Sequence, residues 1–199
     1  MTMPARDGDV ARLSPQSGFE EVSWPPPFRF RMALPGEDVF AQAVRAAQAG
    51  ELGAADVLWC DDGMQLHMAL VLEPDQPAQQ SLAAVEALHE ALRQTLAALL
   101  PPQVAVDVRA GGAVLVNGGL AGQVWHEMAD CAPRAVPPWM VMGLCLNLRR
   151  APQMEGGEEP GIAVLAEEGG DGLSAAELVA GVARRLLLRL DDLKSIRNE

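Results

Sequence analysis

The sequence predicts an α+β fold in which a mixed β-sheet packs against helices. Three segments repeat their apolar residues at spacings of three and four, which is the period of an α-helix. Several shorter segments alternate apolar with polar residues or stay apolar throughout, which is typical of β-strands. The strand segments occur in clusters rather than in strict alternation with the helices, and this order favours α+β over a βαβ arrangement.

The composition predicts one globular, acidic domain. The chain has 199 residues, of which 49% are hydrophobic and 21% charged, with 4% aromatic residues and no tyrosine. Leu, Val, Ala and Met must therefore build most of the core. The net charge is −12, and the only basic cluster of any size is at residues 184–189. We therefore expect the protein to bind neither nucleic acid nor an anionic membrane.

Cysteine usage and the lack of a long apolar segment predict a cytoplasmic protein. Cys60, Cys131 and Cys145 are an odd number and include no CxxC pair, which argues against a disulfide framework and against a zinc site. A reducing compartment suits such thiols. No N-terminal apolar region resembles a signal peptide, and no apolar run approaches the roughly 20 residues of a membrane span.

The chain divides into two predicted parts. Residues 1–27 are polar and contain scattered glycine and proline, so we expect a flexible N-terminal arm. The arm ends in a stiff Trp-Pro-Pro-Pro segment at residues 24–27. Residues 28–199 are long enough for a single domain with one core.

Two helices and two strands are predicted in the first half of this domain. Residues 37–49 carry an apolar stripe that stops at Gly50, a residue that commonly ends helices. Residues 55–60 form a short strand, and residues 65–73 alternate clearly between two faces. Residues 77–100 form the longest helix, with leucines at spacings of three and four and two prolines after it.

Residues 104–124 contain the strongest strand and turn signals in the chain. Short apolar runs flank a glycine-rich bend, as in a β-hairpin. Asn117 and Gly118 are typical of a type I′ turn, which requires positive φ at both central residues. Three further glycines allow close approach of the backbone: Gly111, Gly112 and Gly122. Backbone N–H groups at these bends could hold a ligand, or the bends could simply be tight turns.

The last third of the chain predicts two strands and a helix. Residues 139–148 are apolar on both faces, so we expect a central strand. Residues 161–166 form a last short strand. Ser174 and Glu177 have the spacing of a capping box at the start of the final helix.

Few side chains have neighbours that predict chemistry. Arg109 ends a strand beside the glycine bend, where it could hold a phosphate or carboxylate, or pair with Asp107. Cys131 lies in a loop and is the most plausible reactive thiol. His67 is interpreted as a hydrogen-bonded structural residue. His126 and the glutamate after it point to opposite faces if the strand continues, so they cannot act as a pair.

Three motifs, taken in order, resemble the catalytic domain of the biotin/lipoate A/B protein ligase family. Residues 106–122 are similar to a family strand that ends Lys-Trp-Pro-Asn-Asp and to the hairpin VNGRKVGGI that follows it. Residues 141–148 (VMGLCLNL) are similar to the family strand IGIGINVN. Residues 165–169 (LAEEG) are similar to the segment SLxEEG before a helix. The resemblance covers residues 28–193 and is closest to biotin–protein-ligase-like proteins that lack an N-terminal DNA-binding domain.

The resemblance implies the ligase fold and a defined chemistry. Family members carry biotin or an acyl group as its adenylate and transfer it to a lysine of a small carrier protein domain, while the octanoyl transferases use a cysteine. The cofactor is unknown: biotin, lipoate or octanoate with ATP would serve a retained activity, and a homodimer is possible. No metal is implied. Arg109 takes the position of the catalytic lysine. The residues implied to bind the cofactor are Arg109, Gly111, Gly112, Asn117, Gly118, Gly122, Gln123, Gly143 and Asn147.

The sequence departs from the family's active-site motif in two places. Arg109 replaces the adenylating lysine, and a planar guanidinium is a different group from a compact ammonium. The Trp-Pro-Asn that follows is replaced by Ala-Gly-Gly. Residues 56–63 (DVLWCDDG) are acidic where the family has a basic glycine loop, GRGRRG, that folds over the adenylate. Two carboxylates serve a phosphate-bearing intermediate poorly.

Three hypotheses about function follow. In the first, the protein binds a carboxylate-bearing cofactor or acyl group beside the glycine bends and attaches it, with ATP, to a carrier lysine. In the second, which the missing lysine and the acidic loop favour, it is a non-catalytic relative that binds a small molecule or a carrier protein, with Asp61 and Asp62 as a partner surface. In the third, it is an acyltransferase that uses Cys131 or Cys145 as a nucleophile.

Overall fold

A seven-stranded mixed β-sheet forms the centre of the protein. The computed structural model describes residues 22–33, 36–150 and 161–197. The strands are β1 (Arg29–Met32), β2 (Asp56–Asp61), β3 (Gln65–Leu72), β4 (Val106–Val108), β5 (Ala113–Val116), β6 (Gly119–Met128) and β7 (Met140–Asn147). They lie in the order β1-β2-β3-β7-β6-β5-β4. β1 runs parallel to β2, and all other neighbouring strands are antiparallel.

Helices pack on both faces of this sheet, so the predicted α+β fold is confirmed. The helices in the described ranges are α1 (Val39–Gln48), α2 (Ala78–Ser81), α3 (Ala83–Leu99) and α4 (Ala175–Arg197), with a wide helical turn at Ala166–Gly170. The helix predicted at residues 77–100 divides into α2 and α3 at Leu82, where the backbone remains helical. Across the described ranges, none of these helices combines the length and the apolar character needed to cross a bilayer.

Local hydrogen bonds show why several elements begin and end where they do. The Asp38 carboxylate accepts a hydrogen bond from the Ala41 N–H at 2.9 Å and starts α1. The predicted capping box is present: the Ser174 hydroxyl accepts from the Glu177 N–H at 3.1 Å, and Glu177 accepts from the Ser174 N–H at 3.2 Å. Asn117 and Gly118 both have positive φ, which confirms the turn predicted there.

α3 and α4 pack on one face of the sheet, and we call it the closed face. Its largest buried side chains come from both helices and from the middle strands: Leu66, Leu70, Leu88, Leu92, Leu96, Met140, Met142, Leu146, Leu178 and Leu186. Each of these side chains is at most 2% exposed. This face holds the main hydrophobic core of the protein.

The opposite face is covered only in part, by α1, and we call it the open face. Ala43 and Val44 of α1 pack on Ala69 and Val71 of β3, with smaller contributions from β2 and β7. β7, the middle strand of seven, is buried on both sides, as its sequence predicts. The remainder of the open face has no helix over it within the described ranges.

The prediction of a strand at residues 161–166 is wrong. This segment makes a single β-bridge, between Ile162 and Leu120, and then enters the helical turn at Ala166–Gly170. The Glu167 N–H already donates to the Val164 carbonyl, which closes the chain into a turn. Val164 and Leu165 are buried, but they reach the core from a turn. The segment therefore packs on the sheet without adding a strand to it.

The segment before β1 packs on the domain. Trp24 lies 4.3 Å from Phe30 and 5.8 Å from Trp59 between ring centroids, so it contributes to the aromatic contacts at the edge of the core. Residues 1–21 of the predicted N-terminal arm lie outside the described residues.

Candidate functional site

A row of side chains crosses the open face next to α1. Cys60 on β2, His67 on β3, Cys145 on β7 and Gln123 on β6 are paired in register across four neighbouring strands. Paired residues on neighbouring strands point to the same face of a sheet. The row therefore forms a continuous floor beside the beginning of α1.

A cavity of about 560 Å³ lies over this floor, between the start of α1 and the sheet. Its volume is typical of a site for a small molecule. The residues that line it are Gly36, Glu37, Asp38, Val39, Phe40, Cys60, Asp62, His67, Met68, Trp125 and Leu144. Apolar surface predominates in the lining, with a few polar groups near the rim.

Two aromatic rings form walls of the cavity. Phe40 of α1 and Trp125 of β6 have centroids 6.3 Å apart and ring planes inclined by 41°. Phe40 can lie this close to the sheet because Gly143 has no side chain: a Cβ there would come within 2.4 Å of the Phe40 ring. Trp125 is 41% exposed although it is a large aromatic residue. The rings thus present accessible faces to a ligand.

The charged residues that line the cavity are all acidic. Glu37 and Asp38 come from the start of α1, and Asp62 comes from the β2–β3 turn. Neither lysine nor arginine is among the lining residues in the described part of the chain. A ligand in the cavity therefore meets a negative potential at the rim.

The β2–β3 connection is a short turn stabilised by its own carboxylates. Asp61 accepts a hydrogen bond from the Gly63 N–H at 2.8 Å. Asp62 accepts from the Met64 N–H at 2.9 Å and from the Gln65 N–H at 2.7 Å. Only residues 62–64 separate the two strands. This turn stands where the resemblance places a basic loop that folds over an adenylate.

The two cysteines of the floor are held as thiols. Burial raises the pKa of Cys145 to about 11, and the charge of Asp62 adds to the shift. Burial also raises the pKa of Cys60, and the carboxylates of Asp62, Asp61 and Glu37 raise it further. A nucleophilic cysteine needs a lowered pKa, so neither environment activates its thiol.

Arg109 lies outside the cavity. Its side chain is 68% exposed, and its Nε atom is 3.8 Å from a carboxylate oxygen of Asp107. The ion pair with Asp107, one of the two alternatives for this residue, is therefore formed. An exposed pair at this distance contributes little to stability.

The predicted glycine site is built of close backbone contacts. Gly112 has φ of +82°, and a Cβ there would lie 2.2 Å from the Val124 carbonyl oxygen. A Cβ at Gly122 would lie 2.1 Å from the Cys145 carbonyl oxygen. The Gln123 amide donates to the carbonyl oxygen of Gly111 at 2.8 Å and closes the bend. These contacts correspond to the tight-turn alternative.

The two predicted asparagines tie the end of the hairpin to the rest of the domain. The Asn117 amide donates to Glu168 at 2.6 Å, and its oxygen accepts from the Ala105 N–H at 3.0 Å. The Asn147 amide donates to the Ala163 carbonyl at 3.2 Å, and its oxygen accepts from Gln65 at 2.9 Å.

The structure thus brings only part of the predicted site together. Gln123, Gly143 and Asn147 lie on the open face, and Gly143 shapes a wall of the cavity. Gly122 lies within β6, and the other members lie in the hairpin bends: Arg109, Gly111, Gly112, Asn117 and Gly118. None of the nine lines the cavity. Their implied contacts with a cofactor stay a prediction.

Glu37, Phe40 and Trp125 were missed because each has an ordinary local pattern. Asp62 was predicted as part of a partner surface and His67 as a structural residue, so neither was predicted to line a cavity. Phe40 lies on the apolar stripe of a helix, and Trp125 lies at the end of a predicted strand. Glu37 and Asp62 are surface carboxylates in short connections. The one local signal of the cavity lies in β6, an alternating strand that places Trp125 among polar residues.

The rest of the described chain offers no competing metal or thiol site. No group of three or more His, Cys, Asp and Glu residues in the described ranges could hold a metal ion. Cys131 is partly buried, and its thiol lies 3.9 Å from the Ala135 carbonyl oxygen. A second cavity, of about 440 Å³, lies between α4, the start of α3 and the end of β3, and none of the predicted site residues lines it.

The fold is that of a class of ligase catalytic domains. A biotin protein ligase from Aquifex aeolicus superposes with a TM-score of 0.63 at 14% identity, over 84% of this chain and 71% of that chain. A biotin protein ligase from Leishmania major in complex with biotinyl-5-AMP superposes with a TM-score of 0.57 at 13% identity, over 86% and 81%. Such low identity establishes a shared fold alone.

The chain belongs to the biotin/lipoate A/B protein ligase family, whose sequence pattern matches residues 24–195. It is also similar to a biotin protein ligase-like protein of unknown function from Silicibacter sp. TM1040, at 30% identity and a TM-score of 0.78. That match covers 87% of this chain and 74% of the other. No curated protein matches the chain. The resemblance inferred from three motifs is confirmed, and so is the fold that it implies.

Proposed function

We propose that the protein is a non-catalytic member of its family that binds a small molecule in the cavity over the open face. The observation that carries this proposal is the β2–β3 turn. Asp61 and Asp62 use their carboxylates to hold a connection of only three residues beside the cavity. A turn of this length cannot fold over an adenylate, and its charge has the wrong sign for a phosphate.

The other charges of the region support the same proposal. Arg109 is exposed and paired with Asp107, and the lining of the cavity carries Glu37, Asp38 and Asp62. Adenylation requires positive groups that neutralise the negative charge of the triphosphate in the transition state. Among the described residues, those that line the cavity supply no cation for this purpose.

The first experiment measures whether the protein activates a carboxylate. The purified protein is incubated with ATP and, separately, with biotin, lipoate and octanoate, and AMP formation is followed with the Aquifex aeolicus ligase as a positive control. We expect no AMP above the background of ATP alone. Turnover with any of the three acids would overturn the non-catalytic proposal, and Arg109 would then be the first residue to test for a catalytic role.

The second experiment tests whether the cavity is a binding site. Trp125 is the one tryptophan that lines it, so its fluorescence reports occupancy. We expect a ligand from a small-molecule panel to change the emission of the wild-type protein and not that of Trp125→Phe. A ligand whose signal survives in Trp125→Phe binds elsewhere and contradicts the proposed site.

A further inference from the structure

We infer that the molecule bound in this cavity is a small organic cation with an alkylated ammonium group. This inference rests on the proposed function, because it names the ligand class for the same site. The juxtaposition that supports it is a pair of aromatic walls, Phe40 and Trp125, in a cavity whose lining, in the described part of the chain, has carboxylates and neither lysine nor arginine. Alkylated ammonium groups are recognised by aromatic faces in this setting.

The aromatic pair has the geometry of a partial cage. The two ring centroids are 6.3 Å apart, and the planes are inclined by 41°, so the rings form two sides of a corner. A cation attracted to a ring lies within about 6 Å of its centroid. One methylated ammonium group placed in the corner can therefore contact both rings at once. Gly143 maintains the corner, because a side chain there would displace Phe40.

Carboxylates provide the countercharge. Glu37 and Asp62 line the cavity from two different segments, the start of α1 and the β2–β3 turn. Their field extends to the floor, since both carboxylates raise the pKa of the Cys60 thiol. A biotin or lipoate carboxylate would be repelled by the same field.

The nearby basic side chains on the sheet are engaged with other carboxylates. Arg29 and Arg31 of β1 lie 2.8 Å and 3.6 Å from Asp56, which is buried on β2. Arg150 pairs with Glu167 at 2.7 Å beyond the end of β7. These three arginines therefore pair with carboxylates other than Glu37 and Asp62.

The test compares a cation with an uncharged molecule of the same shape. Choline and 3,3-dimethylbutan-1-ol differ in one atom, nitrogen or carbon, and in charge. We expect choline to change the Trp125 fluorescence with an affinity at least about tenfold higher than that of the alcohol. Tetramethylammonium should bind as well. Binding should weaken as the salt concentration rises, because exposed charges are screened.

Matched variants locate the source of the preference. Glu37→Gln should weaken choline binding by about threefold to fivefold, while Glu51→Gln, at the other end of α1, should leave it unchanged. Phe40→Leu should weaken it by about tenfold, measured calorimetrically and after the fold has been checked by circular dichroism. If Phe40→Leu does not fold, Trp125→Leu at the exposed wall provides the same test.

Each outcome separates this inference from the proposed function. Equal binding of choline and the alcohol, or tighter choline binding by Glu37→Gln, would overturn the cation inference. Binding of biotin or lipoate with a response from Trp125, and none of choline or tetramethylammonium up to about 10 mM, would overturn it and leave the proposed function standing. AMP formation would overturn the proposed function whatever the cations do.

Discussion

The two faces of the central sheet share the same strands and have opposite characters. The closed face packs against α3 and α4, and its large side chains are buried in one continuous core. Among the described helices, the open face meets α1, which covers a smaller cluster rich in alanine and valine. Beside α1 the same strands present His67 and Trp125 to a cavity.

Under the proposed function, one sheet separates stability from ligand binding. Side chains alternate between faces along each strand, so every strand contributes to both. Substitutions on the closed face should change the free energy of unfolding and leave the cavity intact. Substitutions on the uncovered part of the open face should do the reverse. The following predictions test this division, from the largest expected effect to the smallest.

The largest effect is expected from the closed face. Leu186 of α4 is fully buried, whereas Leu188 on the same helix is 63% exposed. Leu186→Ala should lower the free energy of unfolding by about 2–5 kcal/mol, since it leaves a cavity in the core. Leu188→Ala should change it by about 0.5 kcal/mol or less. Urea denaturation followed by circular dichroism measures both. Similar losses in the two variants would contradict the assignment of the closed face.

The second effect tests whether the glycine bend is structural. Gly112 has positive φ and a carbonyl oxygen where a Cβ would lie, whereas a Cβ at Gly111 would meet nothing within 4 Å. Gly112→Ala should therefore lower the free energy of unfolding by about 2 kcal/mol, of which backbone strain supplies about half or more. Gly111→Ala should be within about 0.5 kcal/mol of the wild type.

The same pair of variants distinguishes a turn from a ligand cradle. A structural bend predicts that Gly112→Ala loses stability and that ligand affinity in the folded protein is unchanged. A cradle predicts that ligand binding to the folded variant is weakened in addition to the loss of stability. Titration of each variant with the best ligand of the wild type decides between them.

The smallest effect concerns the buried carboxylate at the edge of the sheet. Asp56 accepts from Arg29 at 2.8 Å and from the Gly53 N–H at 2.9 Å, and these bonds lower its pKa below the ordinary value of 3.8. The stabilisation is therefore complete above the unfolded pKa and is lost as the pH falls through the folded pKa. Asp56→Asn should cost about 1.5 kcal/mol at neutral pH.

The pH dependence checks the sign of this contribution. The difference in free energy of unfolding between wild type and Asp56→Asn should shrink as the pH falls below 3.8. Asp107→Asn is the control, because Asp107 is exposed and 3.8 Å from its partner Arg109. A wild-type advantage that stays constant down to about pH 2 would show that the Asp56 charge is not its source.

Local patterns predicted the elements well where the sequence has a clear periodicity or a capping motif. The alternation of residues 65–73 corresponds to β3, and the Ser174–Glu177 spacing corresponds to a formed capping box. The prediction was wrong at residues 161–166, where apolar residues reach the core from a turn. A short apolar run has no periodicity of its own, so tertiary contacts decide its conformation.

The sequence by itself determined the α+β fold, the family, and the positions of most helices and strands. Periodicity, turn residues and caps act between near neighbours, so they can be identified in the chain. Only the tertiary structure decided which residues meet at the candidate site. Glu37 and Phe40 at the start of α1, Asp62 in the β2–β3 turn and Trp125 on β6 lie on three separate segments. The pairing of β2, β3, β7 and β6 together with the docking of α1 brings them around one cavity. That meeting depends on burying the apolar faces of the sheet, which is a property of the whole fold.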